Sequence, residues 1–237
     1  MFKLALNAGH YLNTAGKRCL KALDKNETRE WTLNDRICDK IEQKLKAYDG
    51  YSLLRIDDTT GSTDVSLSDR VTKANSWGAN LYLSIHHNAG INGGTGGGVV
   101  AYTYTKVDDT TKAWQKDLYN AIIKHSGLKG NRANPLASAN LYECRKTTMP
   151  CVLLECGFMD SKTDVPVILT DDFADKVASA CVEVIVAKGK LTKKVVKTET
   201  KTETKTYRVQ VGAYSVKANA EAMQKKLKAA GFDAIIV

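Results

Sequence analysis

The pattern of apolar and polar residues between Leu81 and Ala89 predicts a central β-strand. Apolar residues occupy every second position in the order Leu-Tyr-Leu-Ser-Ile-His, which is the period of two expected of a strand. The apolar run stops at His86 and His87, and a glycine-rich segment, Gly93–Gly98, follows closely. We therefore place both histidines at the carboxyl end of a strand, where ligands and catalytic groups collect in open α/β sheets.

Three other segments are predicted to bring polar groups to the same edge. The short strand Phe2–Leu6 leads into His10, and the strand Val152–Leu154 ends at Glu155. Glu30 opens a helix whose apolar residues recur every four positions, at Leu33, Ile37, Ile41 and Leu45. Because Glu30 lies three residues before the first of these, it shares their buried face one turn earlier.

The remaining periodic segments complete an α/β pattern. They are predicted strands at Tyr51–Ile56 and Val99–Tyr104, and predicted helices at Leu67–Trp77, Trp114–His125 and Phe173–Ala187. This order predicts a twisted, mostly parallel sheet flanked by helices. The segment Asn140–Cys144 precedes the strand that carries Glu155, and we expect it to line the cleft.

These residue types allow one specific chemistry. Two imidazoles and one carboxylate, with open positions for water, form the ligand set of a catalytic Zn²⁺ site. A carboxylate that does not bind the metal then serves as general base and acid. His10, Glu30 and His86, together with Glu155, fit these roles. The residues lie far apart in sequence and no H-E-x-x-H motif occurs, so structural hydrogen-bonding histidines remain the alternative.

Five ordered segments resemble the Amidase_3 family, the zinc-dependent N-acetylmuramoyl-L-alanine amidases, over residues 1–188. They are N-A-G-H from Asn7, E-W-T-L-N-D-R-I from Glu30, S-L-S-D-R-V-T-K-A-N from Ser66, S-I-H-H-N-A from Ser84 and M-P-C-V-L-L-E-C-G-F from Met149. The resemblance implies that His10, Glu30 and His86 bind zinc and that Glu155 is catalytic. The implied reaction is hydrolysis of the amide between N-acetylmuramic acid and L-alanine in peptidoglycan.

Two neighbouring residues compete for the ligand roles. Glu27 lies three residues before Glu30, although the register of the motif that follows favours Glu30 as the acidic ligand. His87 follows His86, and because neighbouring strand residues point to opposite faces, only one is expected to face the metal. The motif favours His86, which leaves His87 as a supporting or substrate-contacting residue.

The cysteines are expected to be reduced thiols. The six cysteines show no paired spacing typical of a metal site, and a chain without a secretion leader favours reduced thiols. Cys151 and Cys156 flank the segment that ends at Glu155, which raises a thiol nucleophile as an alternative. Burial in a strand is the simpler explanation.

The charge pattern divides the chain. Residues 1–187 hold 23 Lys and Arg against 22 Asp and Glu, whereas residues 188–237 hold 12 against 4. We predict a catalytic domain at 1–188, a solvated K-T-E-T linker at 189–206 and a β-α-β piece at 207–237 that resembles half of a SPOR peptidoglycan-binding repeat. The basic end lacks the interleaved aromatics of a nucleic-acid platform, so we expect attraction to the polyanionic cell envelope instead.

The predicted function is that of a cell-wall hydrolase. The sequence contains no apolar run long enough to span a bilayer and no N-terminal signal-peptide pattern. We therefore expect synthesis in the cytoplasm and action on the wall after release, as for a phage or prophage endolysin. Another zinc-dependent peptidoglycan hydrolase, such as a peptidase or deacetylase, and a non-catalytic peptidoglycan-binding protein are the alternatives. No sequence pattern indicates an oligomeric state.

Overall fold

Eight strands form two sheets in the computed structural model, which describes residues 1–194 and 209–237. In chain order they are β1 (Phe2–Ala8), β2 (Tyr48–Asp49), β3 (Tyr51–Arg55), β4 (Leu81–Asn88), β5 (Val99–Thr103), β6 (Leu136–Ser138), β7 (Cys151–Phe158) and β8 (Thr192–Lys193). The main sheet has six strands in the order β3-β1-β4-β7-β5-β6, and β2 pairs with β8. All belong to a first compact unit, Met1–Lys194.

The main sheet is mostly parallel, as predicted. Strands β3, β1, β4 and β7 run in the same direction, so their carboxyl ends meet at one edge. Strand β5 runs antiparallel to β7 and pairs in parallel with β6. The edge that gathers the ends of β1, β4 and β7 is therefore the edge to which the sequence assigns the functional residues.

Six helices surround the sheet in the first unit. They are α1 (Glu30–Leu45), α2 (Leu67–Trp77), α3 (Asp109–Ser126), α4 (Tyr142–Lys146), α5 (Val165–Ile168) and α6 (Asp171–Gly189). Helix α1 begins at Glu30 and α2 has the predicted bounds. Ser66 caps α2 by accepting a hydrogen bond from the Asp69 N–H, and Gly78 ends it with a φ of 68°.

Both faces of the sheet are covered by apolar side chains. On one face, α1, α3 and α6 pack against the sheet in a large cluster that includes Leu83 and Ile85 of β4. On the other face, Tyr82 of β4 packs in a smaller cluster with Ala74 of α2 and Cys144 of α4. The alternation that predicts β4 therefore separates two buried faces, and Ser84, His86 and His87 of β4 are buried as well.

The C-terminal unit corrects part of the prediction. Within residues 209–237 the structure forms the predicted helix, α7 (Lys217–Ala229), but the predicted strands do not form at 209–214 or 233–237. A strand is stabilised by hydrogen bonds to a partner strand and by burial of one face. Val209 and Ile235 are instead 86% and 76% exposed. Residues 207 and 208 of the first predicted strand, and 195–206 of the predicted linker, lie outside the described residues.

Residues 189–194 of the predicted linker lie within the first unit. Gly189 ends α6, and Thr192 and Lys193 form β8 against β2. Among the described residues, no helix is long and apolar enough to cross a membrane.

Candidate metal centre

Three candidate ligands converge at the carboxyl edge of the main sheet from three separate segments. His10 follows β1, Glu30 is the first residue of α1, and His86 lies near the end of β4. One potential ligand atom from each lies within 4.8 Å of the other two. Glu30 Oε1 is 3.4 Å from His10 Nε2 and 3.1 Å from His86 Nδ1. The structure thus brings together the three residues that the sequence predicts as zinc ligands.

The backbone around His10 allows the two imidazoles to approach. His10 has a φ of 67°, in the left-handed region that few residues other than glycine adopt. The buried Arg70 guanidinium holds this turn by donating to the carbonyl oxygens of Ala8 and His10, each at 2.8 Å. A Cβ atom on Gly9 would meet the His86 ring at 2.0 to 2.4 Å. The Arg70 contacts and the absence of a Gly9 side chain therefore set the distance between the two histidines.

Glu30 is a buried carboxylate balanced by the two imidazoles. It is only 1% exposed, and its N–H donates to the Lys17 carbonyl oxygen at 3.0 Å, which fixes the start of α1. Burial raises the pKa of Glu30, but the hydrogen bonds and charges of His86 and His10 outweigh burial and lower this pKa well below its ordinary value. Glu30 is therefore anionic, as a metal ligand must be.

The adjacent histidines of β4 have different surroundings. His86 Nδ1 faces Glu30, whereas His87 Nδ1 lies 2.8 Å from Asn34 Oδ1. Asn34 in turn donates to the Gly9 carbonyl oxygen at 3.1 Å. Burial lowers the pKa of His87 to about 3, so this imidazole is neutral. His87 thus contacts the residues that support the ligand cluster.

Glu27, the competing acidic candidate, lies away from the cluster. Its carboxylate is 3.3 Å from Arg18 Nε and 3.8 Å from Lys21 Nζ, and its side chain is 30% exposed. These contacts are those of a surface ion pair, which contributes little to stability.

Glu155 lies beside His86 without belonging to the ligand cluster. In the β4–β7 pairing, His86 is the register partner of Glu155, so both side chains project from the same face. Burial raises the pKa of Glu155 to about 7; the His86 charge opposes this rise and the Glu30 charge adds to it. A carboxyl group with this pKa exchanges protons readily near neutral pH.

All six cysteines are buried and form no disulfide. Burial raises the pKa of Cys151 and of Cys156 well above the ordinary value. Because the thiolate is the nucleophilic form, these residues are poor nucleophiles, and the thiol alternative loses its support.

Two charged residues near the cluster were not identified as functional from the sequence. Lys17 places its Nζ atom 3.6 Å from Glu30 Oε2. Glu143, in the segment expected to line the cleft, is 4% exposed and places Oε2 3.9 Å from His86 Nε2. No local spacing links either residue to the ligands, because Lys17 lies on a loop and Glu143 on α4, and packing brings both to the site.

Three polar atoms of the site lack hydrogen-bond partners among the described residues. They are Glu30 Oε2, His86 Nε2 and Glu155 Oε2, all buried. A buried polar atom without a partner costs about 1–3 kcal/mol, and such atoms in native structures point to a missing ion, water or substrate. Two imidazoles and a carboxylate are the donor set that suits zinc, so the residues present fit this metal.

Comparison with known proteins finds a family match for each of two parts of the chain. Residues 4–187 match the family model described as N-acetylmuramoyl-L-alanine amidase, and residues 187–237 match the SPOR domain. The sporulation-specific N-acetylmuramoyl-L-alanine amidase of Bacillus subtilis (strain 168) is 31% identical over 238 residues, which covers 100% of this chain and 85% of the relative. The endolysin of Bacillus phage SPP1 is 36% identical over 137 residues, 57% of this chain and 50% of the endolysin.

Solved structures give the same assignment. The N-acetylmuramoyl-L-alanine amidase from Clostridium difficile 630 superposes with a TM-score of 0.70 at 25% identity, covering 78% of this chain and 95% of that structure. The family match spans the segments that carry His10, Glu30, His86 and Glu155. The chain belongs to the Amidase_3 family of N-acetylmuramoyl-L-alanine amidases.

Proposed function

We propose that this amidase cleaves the bond between N-acetylmuramic acid and L-alanine at a zinc site formed by His10, Glu30 and His86. The observation that carries the proposal is the convergence of their ligand atoms within 4.8 Å of one another. Family membership supplies the reaction and the peptidoglycan substrate. The ligand assignment and the choice of zinc rest on the donor set and on the buried, unpartnered Oε2 atom of Glu30.

A bound zinc ion supplies Lewis acidity, which polarises an amide carbonyl and lowers the pKa of water. The chain's own residues supply the proton transfers. Glu155 is partly buried, and its carboxyl pKa of about 7 suits a group that must both accept and release a proton. We assign it the removal of a proton from the attacking water and its delivery to the leaving amine of L-alanine.

The first experiment is mass spectrometry of purified peptidoglycan digested by the full chain, with and without a chelator. The expected products are free stem peptides that begin with L-alanine. They should disappear on chelation and return when zinc is added. Cleavage within the stem peptide, or loss of acetyl groups, would identify another zinc hydrolase; binding without cleavage by the zinc-loaded protein would favour the non-catalytic alternative.

The biological setting has two candidates. An endolysin setting is supported by the phage relative, which matches 57% of the chain. Action during sporulation is supported by the sporulation-specific relative, which matches the whole chain. Following the protein in its host after prophage induction and during spore formation separates them, because an endolysin should accumulate only in the first condition.

We further propose that residues 207–237 hold the enzyme on peptidoglycan. The SPOR match covers this segment, and residues 188–237 carry 12 Lys and Arg against 4 Asp and Glu, which favours a polyanionic wall. A protein truncated after Lys194 should keep its turnover on soluble muropeptides and lose sedimentation with insoluble wall. Equal sedimentation of both proteins would assign wall binding to the first unit.

A further inference from the structure

Glu143 is a buried carboxylate with three polar neighbours. It lies on α4 and is 4% exposed. Its Oε1 atom accepts a hydrogen bond from Asn7 Nδ2 at 2.9 Å and another from the Tyr82 hydroxyl. Its Oε2 atom lies 3.9 Å from His86 Nε2. Because burying a charge is costly unless it is paired and hydrogen-bonded, this arrangement calls for a specific role.

The Asn7 side chain connects this carboxylate to the other histidine. Asn7 Oδ1 accepts a hydrogen bond from Arg70 Nη1 at 2.5 Å, while Asn7 Nδ2 also donates to Ser84 Oγ at 2.8 Å. The same Arg70 donates to the His10 carbonyl oxygen at 2.8 Å. One buried network therefore reaches His10 through its backbone and the His86 ring through Glu143.

The two ring nitrogens of His86 face different groups. Nδ1 lies 3.1 Å from Glu30 Oε1, within the ligand cluster. Nε2 faces Glu143 Oε2 and has no hydrogen-bond partner among the described residues. A neutral imidazole carries its single proton on one nitrogen and offers a lone pair at the other. The group that accepts the proton therefore decides which nitrogen can bind a metal.

We infer that Glu143 is a positioning residue: the negative charge of its Oε2 atom, 3.9 Å from Nε2, favours the His86 proton on Nε2 and so directs the Nδ1 lone pair towards the ligand cluster. The two donors on Oε1 leave Oε2 as the oxygen available to His86. This inference rests on the proposed zinc site. It adds to that site a fourth residue that neither the ligand motif nor the family match assigns.

Two other roles for Glu143 fit the structure less well. The group of candidate ligands found among the described residues is His10, Glu30 and His86, without Glu143. Glu143 also lies on the Nε2 side of the His86 ring, opposite the nitrogen that faces Glu30. Glu143 also differs from Glu155, the proposed proton carrier. Glu143 is buried and accepts two hydrogen bonds, whereas Glu155 has an unpartnered oxygen.

The test is Glu143→Gln in the full chain, with Glu183→Gln as the matched control. Both changes remove one negative charge, but Glu183 pairs with His125 on the surface. In E143Q the Gln carbonyl oxygen accepts from Asn7 and Tyr82, so its NH₂ group faces His86 and favours the tautomer with the proton on Nδ1. We expect the Kd for zinc, measured by chelator competition across pH and corrected for the proton that His86 loses, to rise about 10–100-fold in E143Q and to stay unchanged in E183Q.

Nitrogen-15 NMR of the histidine rings provides a readout that a merely structural role would not change. In the zinc-loaded wild-type protein, His86 should show a protonated Nε2 and a metal-bound Nδ1. This measurement needs no variant, so it tests the inference even if E143Q does not fold. A metal-bound Nε2, or an E143Q protein that folds and binds zinc as tightly as wild type, would overturn the inference. A wild-type protein that binds no zinc would instead overturn the proposed metal site.

Discussion

Two carboxylates, one at the start of α1 and one inside β7, face the same site in opposite electrostatic surroundings. Burial by itself would raise the pKa of both carboxyl groups. At Glu30 the two neighbouring imidazoles outweigh burial and lower the pKa well below its ordinary value. At Glu155 burial prevails, and the negative charge of Glu30 adds to it, so the pKa rises to about 7.

The comparison shows that neighbours, more than residue type, separate a ligand from a proton carrier. An acid that stays anionic suits a cation, whereas an acid that titrates near neutral pH suits proton transfer. The two acids also influence each other, because the charge that Glu30 keeps helps Glu155 to hold its proton. Removing Glu30 and removing Glu155 should therefore produce two different defects.

The largest effect is expected for Glu30→Gln, which removes the anionic ligand. The zinc Kd should rise by more than about a hundredfold, since a neutral amide replaces a charged donor, and peptidoglycan cleavage should fall to background. Chelator competition measures the first effect and product analysis the second. Glu27→Gln is the matched control, because Glu27 pairs with Arg18 and Lys21 on the surface. A larger loss of zinc affinity and cleavage in E27Q than in E30Q would instead assign Glu27 as the acidic ligand.

Glu155→Gln should affect turnover and leave zinc binding intact. The amide cannot carry the proton from water to the leaving amine, so we expect kcat to fall about 10²–10⁴-fold. The zinc Kd should stay close to that of the wild type, because Glu155 lies outside the ligand cluster. Steady-state release of L-alanine-terminated peptides measures kcat. A variant with undiminished turnover would refute the assignment of Glu155.

Zinc affinity should rise with pH. Burial lowers the pKa of His86, but the carboxylates of Glu143 and Glu30 outweigh burial and raise this pKa to about 10. In the metal-free protein His86 therefore keeps a second ring proton at neutral pH, and zinc must displace it. We expect the apparent Kd to fall about tenfold per pH unit between about pH 6 and 9. A Kd that stays constant over this range would contradict a protonated His86.

Sequence patterns predict five of the six strands of the main sheet, but not β6 (Leu136–Ser138), and they place the residues of the ordered motifs on those elements. The alternation from Leu81 places His86 at a strand end, and the apolar period after Glu30 places that acid on a buried helix face. Local periodicity describes one element at a time, however. Glu143 and Lys17 reach the site through packing between distant segments, and the close contact of Gly9 with the His86 ring depends on the β1–β4 pairing.

In the C-terminal unit, the sequence pattern predicts strands that the structure does not form. Its alternating residues predict two strands, yet only the helix α7 forms among residues 209–237. Helical hydrogen bonds are satisfied within the segment, whereas strand hydrogen bonds need a second segment in register. Alternation therefore predicts which residues would share a face, and the availability of a partner decides whether a strand forms.

The smallest predicted effect concerns Lys17, which interacts electrostatically with both carboxylates. Its ammonium is 3.6 Å from Glu30 Oε2 with a side chain 44% exposed, and its charge lowers the pKa of Glu155. Glu155 must be anionic to accept a proton, so kcat/KM should increase with pH up to the point where this carboxyl is ionised. In Lys17→Met the missing positive charge raises the Glu155 pKa. The acid limb should then move to higher pH by about 0.2–0.5 unit, since solvent screens an exposed charge.

The measurement is the pH profile of kcat/KM on a soluble muropeptide for wild type, Lys17→Met and Lys21→Met. Lys21 is the control, because its ammonium pairs with Glu27 and its side chain is 77% exposed. The K17M profile should lose more activity at pH 6 than at pH 8, whereas the K21M profile should coincide with that of the wild type. A K17M shift to lower pH would mean that another group controls the acid limb, and Glu155 would then lose its place as the proton carrier that titrates beside the anionic Glu30.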